Sequence, residues 1–232
     1  MPPRNNVRAR APIVAIDGPG ASGKTTVGLG LARRWGYRFI DTGVMYRAVT
    51  VLVLEQGVAL DDGAALARLA RGLSIGFGEQ NSAEGPPKVF VDGRDFSTLI
   101  DTPEVDRAVS QVSLAAGVRE ALVRLQRRLA SEGGVVMVGR DIGTVVLPEA
   151  GLKVFLEASA EERARRRHRE RKAGGERSSY RAVMEDLQRR DQIDSQRAIS
   201  PLAPAVDARR VETDGKTVEE VIDAICELSG AP

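Results

Sequence analysis

A chain of 232 residues, 42% hydrophobic and 28% charged, can bury one sizeable core with room for one small insertion. No apolar run approaches the roughly 18 to 20 residues of a membrane helix, and a net charge of +2 is too small for a nucleic-acid coat, so neither is expected as a partner. The single Cys226 excludes an internal disulfide and suits a reducing compartment, so a cytoplasmic location is expected.

The first eleven residues, MPPRNNVRARA, are basic without the apolar stretch of a secretory signal; a disordered tail is expected there, with the core at 12–232. PIVAID (12–17) reads as a buried strand, and 24–35 as a helix with Val27 and Leu31 on its apolar stripe. Between them stands GPGASGKT (18–25), which fits the phosphate-cradling pattern G-x-x-x-x-G-K-[ST] in its strand–loop–helix context. Glycines 18, 20 and 23 let backbone N–H groups converge on phosphate oxygens. Lys24 reaches the β- and γ-phosphates, and Thr25 offers its hydroxyl to Mg²⁺. Gly18, Pro19, Gly20, Ala21, Ser22, Gly23, Lys24, Thr25 and Thr26 are therefore the expected ATP site, with Mg²⁺ on Thr25.

YRFI (37–40) is a second strand, followed by DTGVMYRAV (41–49) and a helix over 43–56. Asp41 or Thr42 can cap that helix, but capping leaves Tyr46 and Arg47 unexplained; at the ligand edge of an open sheet Arg47 could hold an acceptor phosphate with Tyr46 beside it. Residues 73–99 break the strand–helix alternation. Two β-like stretches, a polar Gly/Pro-rich connection and the Asp92-Gly93 turn signal indicate a small antiparallel insertion, a flap or a decorated loop.

One long helix is expected over 103–130, then a strand at 134–138 that ends in GRDIG, placing Arg140 and Asp141 at the same edge. After the strand LKVFL (152–156), a helix over 160–172 carries Arg163, Arg167 and Arg171 on one stripe and ends at Gly174-Gly175. It is either a solvated face or a lid over the donor phosphates. His168 is expected to be exposed on it, without chemistry. On the helix 179–197, Arg190, Asp194 and Arg197 share a face, and Pro201 stops the helix before it. A last strand at 207–213 and a helix at 217–228, with Val221, Ile225 and Leu228 inward, complete an α/β pattern with a parallel sheet.

Arginines supply 29 of the 34 basic residues, and the guanidinium fork grips phosphate bidentately. No N-K-x-D guanine-reading motif is present. A small P-loop kinase for an anionic acceptor fits these facts; a nucleotide-dependent switch, or an idle paralogue that the intact Lys24 and Thr25 oppose, are the other readings.

In this order GPGASGKT, DTGVMYR, GRDIGTVV, VFLEASAEERARRR and RDQIDSQRAISPLAPAVDA resemble bacterial cytidylate kinases over roughly residues 12–228. The resemblance implies a P-loop NTPase fold with a five-stranded parallel sheet flanked by helices, an insertion at 61–110 that binds the nucleoside monophosphate, and a lid at 160–180. It implies transfer of the γ-phosphoryl group of ATP to CMP and dCMP; a monomer is expected. Thr42, Arg47, Arg140 and Arg197 match the residues that hold the acceptor phosphate. Arg190 and Asp194 match those on the pentose, and Ser110, Arg119 and Asp141 those that read cytosine. Catalysis would then rest on Lys24, Arg47, Arg140 and Arg197. The stretch LAAG (114–117) departs from the bulky, proline-containing run of the family just before Arg119.

Overall fold

A computed structural model describes residues 12–79 and 85–229, so the tail expected at 1–11 and residues 80–84 of the expected insertion lie outside them. In chain order the elements are β1 (Ile13–Asp17), α1 (Lys24–Trp35), β2 (Arg38–Asp41), α2 (Thr42–Glu55), α3 (Gly63–Arg71), β3 (Ile75–Phe77), β4 (Val89–Val91) and β5 (Arg94–Asp95). Then follow α4 (Pro103–Leu114), α5 (Ala116–Ala130), β6 (Val135–Gly139), β7 (Leu152–Glu157), α6 (Ala160–Ala173), α7 (Tyr180–Gln196), β8 (Arg209–Glu212) and α8 (Val218–Ser229).

The expected strands pair in parallel in the order β2-β6-β1-β7-β8. Their side chains alternate between two covered faces, as a parallel sheet requires. Val14, Ile16, Val136 and Val138 point to α1 and α8, where Val27, Leu31, Val221 and Ile225 meet them. Ala15, Val135 and Met137 point to the other face, beside Ile142 and Ala130. Each such Leu or Ile contributes about 1.5 to 3 kcal/mol by leaving water. Gly28 lets α1 lie this close: a Cβ there would stand 2.6 Å from Val138 Cγ1 and 3.0 Å from Phe39 Cε2. At the far end of α1, Trp35 and Tyr37 pack edge to face with ring centroids 5.7 Å apart.

A second core joins α2, α3, α4 and α5 to the antiparallel sheet β3-β4-β5, through Met45, Val49, Leu66, Val91, Phe96 and Val112 among others. Asp92 and Gly93 both have positive φ (49° and 82°), the geometry that the Asp-Gly pair predicts for a tight hairpin turn. The long helix expected over 103–130 is two helices. Ala115 is extended (φ −65°, ψ 113°) and ends α4 while starting α5. The break lets α5 turn onto α3, where a Cβ on Gly117 would stand 2.4 Å from the Cβ of Ala67. Ser110 and Arg119 therefore belong to different helices. The short helix α3, capped by the Asp62 carboxylate on the Ala65 N–H, is an element the periodicity reading passed over. A small third cluster, Ala164, Val183 and Leu187, packs α6 on α7.

Candidate active site

The chain leaves β1, β2 and β6 at one edge of the sheet, and β6 lies between β1 and β2, so three loops converge there. A cleft of about 460 Å³ opens above them, walled by α4 to α7 and by Phe77, Lys88, Val89 and Ser97 of the antiparallel insertion. The loop after β1 can take its shape only with glycine at two places. Gly18 has φ +153° and a Cβ there would meet the Leu156 carbonyl at 2.4 Å, while Gly23 starts α1 at φ +94°. No side chain caps α1, which leaves the positive end of the helix to a ligand. Gly20, Ala21, Gly23, Lys24, Thr25 and Thr26 line the cleft; of the rest of the expected ATP site, the Pro19 carbonyl and the Ser22 hydroxyl hold Lys24 Nζ at 2.6 and 3.4 Å from outside its lining. Burial, then the neighbouring Arg140, pushes Lys24 well below the ordinary ammonium pKa, against the opposing pull of Asp41, Asp17 and Asp194. A cation stripped of water beside another cation is a receptor for an anion.

Thr25 Oγ1 donates to Asp41 Oδ2 at 2.7 Å, and Asp41 Oδ1 accepts the Gly43 N–H at 2.9 Å to cap α2. The sequence points to Asp41 only as a cap. Its second oxygen, against the P-loop hydroxyl, makes a pair of hard oxygen donors that suits Mg²⁺.

All ten residues expected around the acceptor line the same cleft: Thr42, Tyr46, Arg47, Ser110, Arg119, Arg140, Asp141, Arg190, Asp194 and Arg197. Thr42 donates its hydroxyl to the Val138 carbonyl at 2.9 Å, so its proton is already engaged. Ser110 accepts, through its carbonyl, the Ser113 hydroxyl at 2.7 Å. Arg119 is buried, pairs with Asp141 and lies 5.4 Å over the Tyr46 ring. Burial pushes the Tyr46 phenol up to about 12, which keeps it neutral.

Arg140 Nε donates to Asp194 Oδ2 at 2.9 Å, and a Cβ on Gly20 would come 3.5 Å from Arg140 Nη2. This guanidinium therefore lies between the donor loop and the acceptor residues. Arg197 donates to the Ser200 carbonyl and stands 3.7 Å from Asp194 Oδ1, but its buried Nη2 has no hydrogen-bond partner, and neither has Arg119 Nε. Burial, then Arg119, pushes the Arg197 pKa down. Orphaned guanidinium N–H groups in a cleft wall fit a ligand that presents hydrogen-bond acceptors.

Three further residues shape the site without touching the cleft. Asp17, at the end of β1, accepts the Ile142 and Gly143 N–H groups, each at 2.8 Å, and so fixes the π-type turn 142–146 that follows Arg140 and Asp141. Burial is the main cause that raises its pKa to about 6. Arg166 donates to the Thr213 carbonyl at 2.6 Å and to its hydroxyl at 2.9 Å, and lies within 3.7 Å of a Cβ built on Gly23. With Arg163, which donates to the Gly20 carbonyl at 3.2 Å and pairs with Asp191 at 2.7 Å, it docks α6 on the P-loop. No local signal separates Arg166 from the run of arginines around it. His168, expected to be exposed, is half-buried with its ring edge-on to Tyr180, because α7 folds back against α6.

The family model described as cytidylate kinase matches residues 14–230. A cytidylate kinase of Geobacillus sp. (strain WCH70) is 49% identical over 225 residues, covering 97% of each chain. One from Bacillus licheniformis is 47% identical over 215 residues, covering 93% of this chain and 94% of that one. Among solved structures, a shikimate kinase from Acinetobacter baumannii aligns with a TM-score of 0.47 at 16% identity, over 94% of this chain and 92% of that one.

Proposed function

The chain belongs to the cytidylate kinase family, and from this premise we propose that the cleft seats ATP on the glycine loop and CMP or dCMP opposite it. The γ-phosphoryl group passes between them: the bond from Pγ to the β-bridging oxygen of ATP breaks, a bond from Pγ to an acceptor phosphate oxygen forms, and ADP and CDP or dCDP leave. The observation that supports this most is the gathering of Arg47, Arg119, Arg140, Arg190 and Arg197 in one cleft with Lys24.

Two polyanionic nucleotides repel, each like-charge pair at about 4 Å costing on the order of 4 kcal/mol at an effective dielectric of 20. The arginines and Lys24 offset that repulsion, align the acceptor oxygen with Pγ and absorb charge in the transition state. No strong base is needed, since the acceptor phosphate is already an anion. Mg²⁺ would be held by Thr25 and Asp41, and when bound it neutralises charge on the donor phosphates. Arg47, Arg140 and Arg197 take the acceptor phosphate, with the backbone start of α2 and Thr42 beside it. Arg190 and Asp194 take the pentose. Asp141 accepts from the N4 amino group of cytosine while Arg119 donates to N3 and O2; uracil would set an acceptor against the carboxylate. The domain assignment follows: 61–110 is the acceptor arm, 160–180 the lid, and their closure excludes water as a competing acceptor. No described helix is long and apolar enough to cross a membrane. The protein acts as a monomer in this proposal, since the exposed large apolar side chains are spread over α2, α4, α7, α8 and the loop 197–208, and the single Cys226 suits a cytoplasmic location.

A coupled ADP-release assay with CMP, dCMP, UMP, AMP and no acceptor tests this. Turnover should be fastest with CMP and dCMP; equal ADP release with no acceptor would make the protein an ATPase and end the proposal.

A further inference from the structure

Asp106 on α4 has no part in the nucleotide reading above, yet it gathers more arginines than any carboxylate in the cleft wall. Arg47 of α2 donates to Oδ1. From the lid helix α6, Arg167 and Arg171 donate to Oδ2 at 3.0 and 3.3 Å. Arg190 of α7 stands 3.5 Å from Oδ1 and donates to the Asp106 carbonyl at 2.8 Å. The carboxylate is 13% exposed, and four like-charged forks meet around it. Burial alone would raise its pKa; Arg47, Arg190 and Arg167 reverse this and hold the carboxyl far below the usual range.

We propose that Asp106 is a positioning residue, the joint through which the lid helix docks on the acceptor arm. The inference rests on the kinase reading for its functional meaning, though its geometry does not depend on the acceptor. Arg47, Arg167 and Arg190 all line the cleft, so one carboxylate behind them sets the direction of two acceptor-facing forks and of a lid fork together. Asp186 shares Arg171 and Arg190 at 3.2 and 3.3 Å, but it sits on α7, already packed against α6. Among the described residues only Asp106 brings Arg167 and Arg171 to the arm. Without its charge the four guanidiniums repel, and the arm and the lid separate.

The test is Asp106→Asn, which keeps the volume and removes the charge. Limited trypsin digestion of the full chain without nucleotide reads lid docking through Lys172 and Arg177, which flank the exposed turn at Gly174-Gly175. Cleavage there should be several-fold faster than in the wild type, while cleavage at Arg68 and Arg71 in α3 stays unchanged. Arg167→Gln probes the joint from the lid side, and the double variant should be cut no faster than Asp106→Asn alone. In turnover, kcat with CMP should fall several-fold at unchanged KM for ATP, and ADP release without acceptor should rise as a share of the total. Unchanged cleavage at the turn, or additive effects in the double variant, overturns the joint even if CMP is a good substrate. Faster cleavage in the variant, with no CMP turnover by the wild type, leaves the joint standing and ends the kinase reading.

Discussion

Arg119, on α5, and Asp141, after β6, form a buried ion pair in the cleft wall, with Arg119 also stacked over Tyr46. A carboxylate and a guanidinium held side by side present an acceptor and donors in the order that cytosine requires and uracil does not. Asp141→Asn should lower the ratio of kcat/KM for CMP to that for UMP by a factor equivalent to about 1 to 3 kcal/mol, because an amide can also donate to the uracil O4. It should destabilise the fold by about 3 kcal/mol as well, since Arg119 stays buried without its partner. Acceptor competition and denaturant unfolding read the two effects separately; an unchanged CMP/UMP ratio would remove Asp141 from base selection.

Arg140 should matter to transfer far more than to donor binding. It lies against Gly20 and is held by Asp194, where we propose that its fork bridges the two nucleotides. Arg140→Ala should cut kcat/KM for CMP by about 10² to 10³, the loss typical of one transition-state donor. The Kd for ATP, measured by calorimetry, should change little. A large loss of ATP affinity at intact kcat would place this residue with the donor instead.

The Asp17 carboxyl gives a pH signature. Its folded pKa is raised from 3.8 to about 6. The folded state thus holds the proton more tightly than the unfolded chain, and the stability linked to this group falls as pH rises from about 4 to about 6, by on the order of 3 kcal/mol. Asp17→Asn removes that slope, so unfolding free energies at pH 4.5 and 7.5 should differ less in the variant than in the wild type. Activity moves in the opposite sense. Protonation below pH 6 puts an O–H where the Ile142 or Gly143 N–H needs an acceptor, so the wild type should lose turnover there more steeply than Asp17→Asn.

Gly28→Ala should test the packing of α1 alone. The added methyl would overlap Val138 and press on Phe39. Overpacking of this kind costs about 1 to 3 kcal/mol, so thermal unfolding should move down by several degrees while KM for ATP and CMP hold.

Much of this molecule was legible because its signals are local. The strands, the glycine loop and the Asp92-Gly93 turn each follow from a short run of residues whose backbone needs no distant partner. The break at Ala115 was not legible: Ser-Leu-Ala-Ala-Gly is compatible with a continuous helix, and the fit of Gly117 against Ala67 comes from residues fifty positions apart in sequence. Asp41 reads as a cap because its Oδ1 is one, and nothing nearby announces the Thr25 hydroxyl on its other oxygen. Asp106 looks like an ordinary charged position of an amphipathic helix. Its arginines arrive from three other helices, and periodicity along one helix holds no record of them.

Trp35 closes α1 eleven residues beyond Lys24, which at about 1.5 Å per residue sets the indole some 16 Å along the axis from the phosphate loop. As the sole tryptophan, packed with Tyr37 beside the principal sheet, it makes intrinsic fluorescence a gauge of whether that sheet is intact. Nucleotide titrations should leave its emission nearly flat, so a second indole introduced on the lid would be the optical probe for closure.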